Sequence, residues 1–179
     1  MVLRIGRALL SSWGGKPRTD QYLRDPQQVE LGIKHRGEAT GVEIKGLVML
    51  TPETITFGHL CGPTEIWGKW NTTTLKIDTL SVVTVRKRRW LRKFDTVSEA
   101  PVEIALDANE QPIEERRLPQ EGCNVELTRL DFPHLDEWWT LGFEAFGTFE
   151  RVRHSLRSAA QTIIGPTVRF ATLEELLIP

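Results

Sequence analysis

The chain has 179 residues, 40% of them hydrophobic and 26% charged, and carries a formal net charge of −1. That is enough polypeptide for one domain with a sizeable core, so residues 1–179 are read as a single domain. The near-zero net charge excludes a global pull toward nucleic acid or an anionic membrane, so any affinity for anions must come from local clustering.

The first residues, "MVLRIGRALLSSWGG", have one short apolar patch and no signal-peptide layout. Residues 2–10 fit either a strand or a short helix. "RTDQYLRDP" (18–26) reads as a short extended piece ending in an Asp-Pro turn. Residues 29–36 and 42–48 alternate with period two and predict two strands joined at "GEATG". Pro52 is expected to close the second run. "TITFGHL" (54–60) predicts a further strand, and "EIWGKW" follows a Cys-Gly-Pro turn. Residues 75–94 predict a long strand centred on 81–90, apolar at its start and then strongly basic. "VEIALD" (102–107) alternates, and 108–122 reads as a loop. "CNVELTRLDF" (123–132) and "TLGFEAFG" (140–147) predict two more strands, with "PHLDEWW" between them as a helical turn. Residues 148–164 predict a helix with Val152, Leu156, Ala159 or Ala160 and Ile163 on one face, ended by Gly165-Pro166. "TLEELL" predicts one last turn.

Seven or eight strands with short connections favour an α+β fold: an antiparallel β-barrel or strongly curved sheet with one or two helices. No run approaches the roughly 18 apolar residues of a membrane span. With no signal and two isolated thiols, Cys61 and Cys123, the sequence points to the cytoplasm. His35, His59, His134 and His154 lack metal-ligand spacing, and "WGGK" lacks the context of a P-loop.

Residues two apart in a strand share a face. Glu30, Lys34 and Arg36 therefore point one way and Val29, Leu31, Ile33 and His35 the other. Glu43 and Lys45 oppose Val42, Ile44 and Val48. Glu126 opposes Val125 and Leu127, and Glu144 opposes Phe143 and Ala145. In the basic strand, Arg86 and Arg88 share one face while Lys87 and Arg89 share the reverse; parity does not choose between them. Two arrangements fit. The charges face water on an ordinary antiparallel sheet, or the sheet curls with its charged face inward around a polar cavity. A cavity with cations on some strands and carboxylates on others suits a polyphosphate, with Lys and Arg neutralising phosphate oxygens.

"VELGIKHRG", "GVEIKG", "VRKRR", "VELTRL" and "FEAFG", in that order before a terminal helix, resemble the CYTH superfamily of triphosphate tunnel proteins. That superfamily includes class IV adenylyl cyclases, thiamine triphosphatases and inorganic triphosphatases. The resemblance spans roughly residues 18–164. It implies a phosphorylated small-molecule ligand held by Lys34, Arg36, Lys45, Lys87 and Arg88. It further implies Mg²⁺ or Mn²⁺ held by Glu43, Glu126 and Glu144, and metal-dependent triphosphatase or phosphohydrolase chemistry; no catalytic residue is assigned. The chain departs from the family at its start, where "MVLRIGR" lacks the Glu-x-Glu-x-Lys signature. The late strands carry one acid each rather than Glu-x-Glu. Those departures favour binding over turnover, and a non-catalytic protein of the same fold is the alternative. A second alternative is single-stranded nucleic acid bound through residues 86–93, where "VRKRRWLRKF" mixes basic and aromatic side chains.

Overall fold

A computed structural model describes residues 16–25, 27–37, 39–57, 60–77, 79–113, 119–131 and 138–164. The expectations for residues 2–10, for most of "PHLDEWW", for the Gly165-Pro166 stop and for "TLEELL" lie outside the described residues.

Among the described residues, eight strands form one antiparallel sheet curled into a half-barrel, with one helix. The strands are β1 (Lys16–Leu23), β2 (Leu31–Arg36), β3 (Val42–Phe57), β4 (Leu60–Thr72), β5 (Val82–Asp95), β6 (Val102–Ile104), β7 (Gly122–Asp131) and β8 (Trp138–Phe146). The helix α1 spans Val152–Ile163. The sheet order is β4-β3-β2-β1-β5-β7-β8, with β6 pairing the far end of β5. The strongly curved sheet expected from the alternation is therefore the observed architecture.

Three local expectations change. The Cys-Gly-Pro turn is not a turn: Cys61, Gly62 and Pro63 lie inside β4, paired with Thr56, Ile55 and Thr54. Pro52 does not close the second run, because β3 continues to Phe57. A proline removes one ladder donor. Here the register against β4 shifts between Leu50 and Thr54, and that irregularity accommodates the missing bond. Consequently 54–60 is not a separate strand: its first residues finish β3, and β4 begins at Leu60. The β2–β3 turn is as the glycines foretell. Gly41 has φ +96°, and a Cβ there would sit 2.7 Å from the Thr72 carbonyl oxygen, so side-chain-free backbone is required.

The apolar face of the late strands is the outer, convex one. Phe94, Cys123, Val125 and Ala159 form a buried cluster, with Leu141, Phe143, Ala145, Leu156 and Ile163 packed around it. Helix α1 presents Leu156, Ala159 and Ile163 to this cluster, as its periodicity predicts, and packs on β8 and β7 with a further contact to β3. A buried polar pair ties it down: the Thr96 hydroxyl donates to Ser155 Oγ at 2.8 Å, and both residues are fully buried. Trp90 stacks on Trp139 on the same side, ring centroids 5.5 Å apart. Cys61 and Cys123 are both free; burial pushes the Cys123 thiol up to about 12, which makes it an unreactive packing residue. No described helix is long and apolar enough to cross a membrane.

Candidate functional site: a cationic cavity on the concave face

With the apolar residues taken outward, strand parity sends the polar ones inward. They line a cavity of about 350 Å³ on the concave face of the sheet, within the usual range for small-molecule sites. β1 contributes Arg18, and β2 contributes Lys34 and Arg36. β3 and β4 contribute Lys45 and Lys69, and β5 contributes Lys87, Arg89 and Lys93. Glu126 and Glu144 enter from β7 and β8, and Glu110 from the turn after β6. Eight lysines and arginines thus meet three glutamates in one concavity, although the whole chain carries a net charge of −1.

The register makes this more than a solvated face. Lys45 lies directly opposite Lys69 across β3–β4, and Arg18 directly opposite Lys87 across β1–β5. Like charges facing each other across a ladder are destabilising. Two buried carboxylates offset part of that cost. Glu43, 6% exposed, receives Lys34 at 2.7 Å, Arg36 at 2.9 Å and Lys69 at 3.2 Å. Burial alone would raise its pKa, but these three cations bring it down to about 2. Asp20, fully buried, holds Arg18 at 3.1 Å and Lys87 at 3.7 Å.

Lys87 is the most perturbed of the cavity lysines. Its ammonium donates to the Tyr22 hydroxyl and lies 4.6 Å from that ring's centroid. Burial pushes it down to about 8; Asp20 opposes the shift, and Lys34 and Arg18 reinforce it. Lys34 is likewise lowered by burial, with Glu43 opposing. The Tyr22 hydroxyl is pushed up by burial and by the Asp20 charge. On the facing wall, Lys45 Nζ reaches Glu144 Oε1 at 3.0 Å, bridging β3 to β8 across the concavity. Burial would raise the Glu144 pKa, but Lys45, with Lys69 behind it, lowers it.

The structure brings together Lys34, Arg36, Lys45, Glu126 and Glu144 on the cavity, as their parity implies, and adds Lys87, whose face parity had left open. Arg88 is not among them. It stands on the opposite face, exposed, with its guanidinium 5.9 Å from the centroid of the Trp90 ring. The reason is parity: if Lys87 and Arg89 face the cavity, Arg88 must share the outer side with Trp90. Glu43 sits below the lining, both oxygens against cations. Sequence reasoning did not single out Lys69, Lys93, Arg18 or Glu110 as cavity residues, and left Arg89 without a side. Trp90 and Phe94 carried a usable signal, since two large aromatics at even positions mark the core face of β5.

Among the described residues, no group of three or more His, Cys, Asp and Glu side chains is placed to hold a metal ion. Glu43 does not fit that role, because its carboxylate is taken up by three cations. Glu126 and Glu144 are diagonal neighbours on one face, since Glu126 pairs with Gly142 and Glu144 with Asn124. Two carboxylates fit a hard cation that takes its remaining oxygens from phosphate and water. Each now holds a cation, Arg89 at 2.9 Å and Lys45 at 3.0 Å.

The basic stretch 86–93 is divided between two faces. Lys87, Arg89 and Lys93 enter the cavity, and Arg92 pairs with Glu103. Trp90 is only 8% exposed, which removes it as a platform for base stacking.

No protein-family model matches the chain, and no curated protein and no solved structure matches it.

Proposed function

We infer that this protein binds a compact polyanion, a polyphosphate or phosphorylated small molecule, in the concave cavity. The observation that carries the reading is the convergence of eight cationic side chains, including two like-charged cross-strand pairs, in one cavity of about 350 Å³. A solvated face gains nothing from opposed lysines. A phosphate chain between them relieves their repulsion and supplies charge-assisted hydrogen bonds. The order of basic and acidic strands supports the triphosphate-tunnel resemblance. On β1, the chain presents Arg18 and Asp20 as an ion pair in place of further acids.

Glu126 and Glu144 are the residues that would hold Mg²⁺ or Mn²⁺ beside a bound phosphate chain. Such a cation would neutralise charge and polarise a phosphoryl oxygen. The chain's own residues bind and orient the anion: Lys45 and Lys69 from one wall, Lys34, Lys87 and Arg89 from the floor. Because two carboxylates are few for a dedicated metal centre, binding is the primary activity and phosphohydrolysis a secondary one.

The test is thermal stability with tripolyphosphate, with and without Mg²⁺. A ligand at 100 times its Kd stabilises the native state by about 2.7 kcal/mol. Lys45→Ala should weaken the shift, and Glu144→Ala should abolish whatever metal-dependent phosphate release the wild type shows. A wild type that does not respond to any polyphosphate would leave a charged cavity with no anion to bind.

A further inference from the structure

The turn after β6 places a carboxylate where the ligand would go. Residues 105–113 fold back on themselves: Leu106 bridges Pro112, and the Ile113 amide donates to the Ala105 carbonyl at 3.0 Å. Asp107 organises the bend, its Oδ1 accepting from the Asn109 and Gln111 amides at 2.8 and 2.9 Å. The bend ends at Glu110, with φ 63°. Among the described residues it is the one non-glycine with a positive φ. Three-residue hairpin loops need a left-handed residue at this position, and glycine meets the need without strain. A glutamate there costs backbone energy, and an outlier of this kind invites the question of what its side chain does.

That side chain enters the cavity and grips Arg89. Arg89 Nε donates to Glu110 Oε1 at 3.0 Å, and Nη2 donates to Oε2, a two-pronged pairing of the sort a guanidinium makes with a phosphate. Arg89 Nη1 is meanwhile held by Glu126 at 2.9 Å. Arg89 is therefore the cavity cation whose donors are most fully occupied by the protein's own acids. Lys45, Lys69 and Lys34 keep theirs on single contacts to Glu144 and Glu43.

We propose that Glu110 is a built-in competitor for the anion: a carboxylate that sits on Arg89 in the free protein and is displaced by ligands long enough to reach it. The proposal rests on the anion-binding reading above and adds selectivity to it. A short anion engages Lys45 and Lys69 and leaves Glu110 in place. A longer phosphate chain extends to Arg89, takes over its two-pronged donors and releases the turn. Displacement also frees the strained 105–113 bend from its anchor in the cavity.

Titration calorimetry with orthophosphate, pyrophosphate and tripolyphosphate tests this on wild type, Glu110→Gln, Glu110→Gly and Glu103→Gln. Glu103→Gln removes an exposed carboxylate from the outer Arg92 pair and controls for overall charge. If Glu110 occupies Arg89 in about nine molecules of ten, removing it tightens binding about tenfold. The expected result is that gain for tripolyphosphate in both Glu110 variants, a much smaller gain for orthophosphate, and none in Glu103→Gln. Glu110→Gly suits the backbone and guards against a folding defect. Hydrogen exchange supplies the second readout: tripolyphosphate should speed exchange of the Glu110 and Ile113 amides in the wild type, and orthophosphate should not. Equal tripolyphosphate affinity in wild type and both Glu110 variants overturns the competitor and leaves the cavity reading intact. Absence of binding to all four proteins overturns the cavity reading itself. Binding by the variants alone would be the strongest support for competition.

Discussion

Along β5, Lys87, Arg89, Leu91 and Lys93 line the cavity, while Trp90 and Phe94 lie on the other side of the same strand. The two faces of this sheet obey different rules. The convex face of β5, β7 and β8 is close-packed under α1 and gains its stability from removing apolar surface from water. The concave face gathers like charges at close quarters, and each partial compensation by Glu43, Asp20 or Glu144 leaves a surplus of cations. One face is arranged for stability and the other tolerates a cost in stability, which is the pattern expected where a site is kept ready for a ligand.

The sharpest way to break this comparison is to damage the convex face. Phe94 is 1% exposed and sits in the buried cluster with Val125 and Ala159. Phe94→Ala should cost about 3–5 kcal/mol, read from the denaturant midpoint. The fraction that remains folded should bind tripolyphosphate as the wild type does. A loss of affinity in the folded fraction, with little loss of stability, would mean that the faces are not separable.

On the concave face the corresponding change is Glu43→Gln. It leaves Lys34, Arg36 and Lys69 facing one another without their shared carboxylate. Breaking a fully buried pair costs about 3–5 kcal/mol. These partners are 14%, 34% and 44% exposed, so screening reduces the expected loss to about 2 kcal/mol. Unlike the Phe94 lesion, this one should be repaired by ligand: tripolyphosphate should raise the melting temperature of Glu43→Gln more than that of the wild type. The pH dependence has a definite sign. Glu43 titrates near 2 in the folded protein, below its ordinary range, so its contribution is present above about 4.5 and is lost as pH falls toward 2. In Glu43→Gln that part of the acid destabilisation should be missing.

How much of this was readable in advance differs between the faces too. The convex core was legible where apolar residues alternate with polar ones, as in Val125 and Leu127 or Phe143 and Ala145. The cavity was legible by the same alternation for Lys34, Lys45, Glu126 and Glu144. On β5 the alternation is nearly silent, because residues 86–89 are basic at every position, and Leu91 on the inner face blurs the apolar signal from Trp90 and Phe94. Lys69 was hidden between Trp67 and Trp70, in a run of mixed aromatic, glycine and polar residues whose alternation does not mark a face; its position is set by direct pairing with Lys45. Glu110 lies in a turn, where no periodicity exists; its position is set by the Asp107 hydrogen bonds and the β6 pairing. Side-chain period reports which face a strand residue takes, and says nothing of what a loop reaches into.

Lys87 provides a pH test that separates stability from binding. Its folded-state pKa, about 8, lies below the value near 10.5 expected when unfolded. Between those values the unfolded chain binds more protons, so this group's contribution to stability rises as pH increases from about 8 to 10.5. Anion affinity should move the other way, because the cavity loses a positive charge over the same window. If the ligand requires the ammonium, Kd should weaken about tenfold between pH 7 and pH 9. Lys87→Arg keeps the charge at both values and should flatten the profile. An unchanged slope in Lys87→Arg would assign the weakening to another cavity ammonium, Lys34, whose pKa burial also lowers.

The smallest expected effect is also the most exact probe of which face is which. Arg88 is adjacent to Lys87 and Arg89 in sequence, equal to them in charge, and separated from the cavity only by the direction of its Cβ. It is exposed, and its guanidinium lies 5.9 Å from the centroid of the Trp90 ring. A cation–π contact at an exposed site is worth about 0.5–1 kcal/mol, so Arg88→Ala should shift the unfolding midpoint by no more than that. Tripolyphosphate should stabilise Arg88→Ala as it does the wild type, while Arg89→Ala, one residue on, loses both the ligand contact and the anchor of Glu110. Equal losses in the two variants would mean that the anion responds to the field of the whole basic strand rather than to the side chains aimed at it, and the division between the two faces of β5 would no longer account for binding.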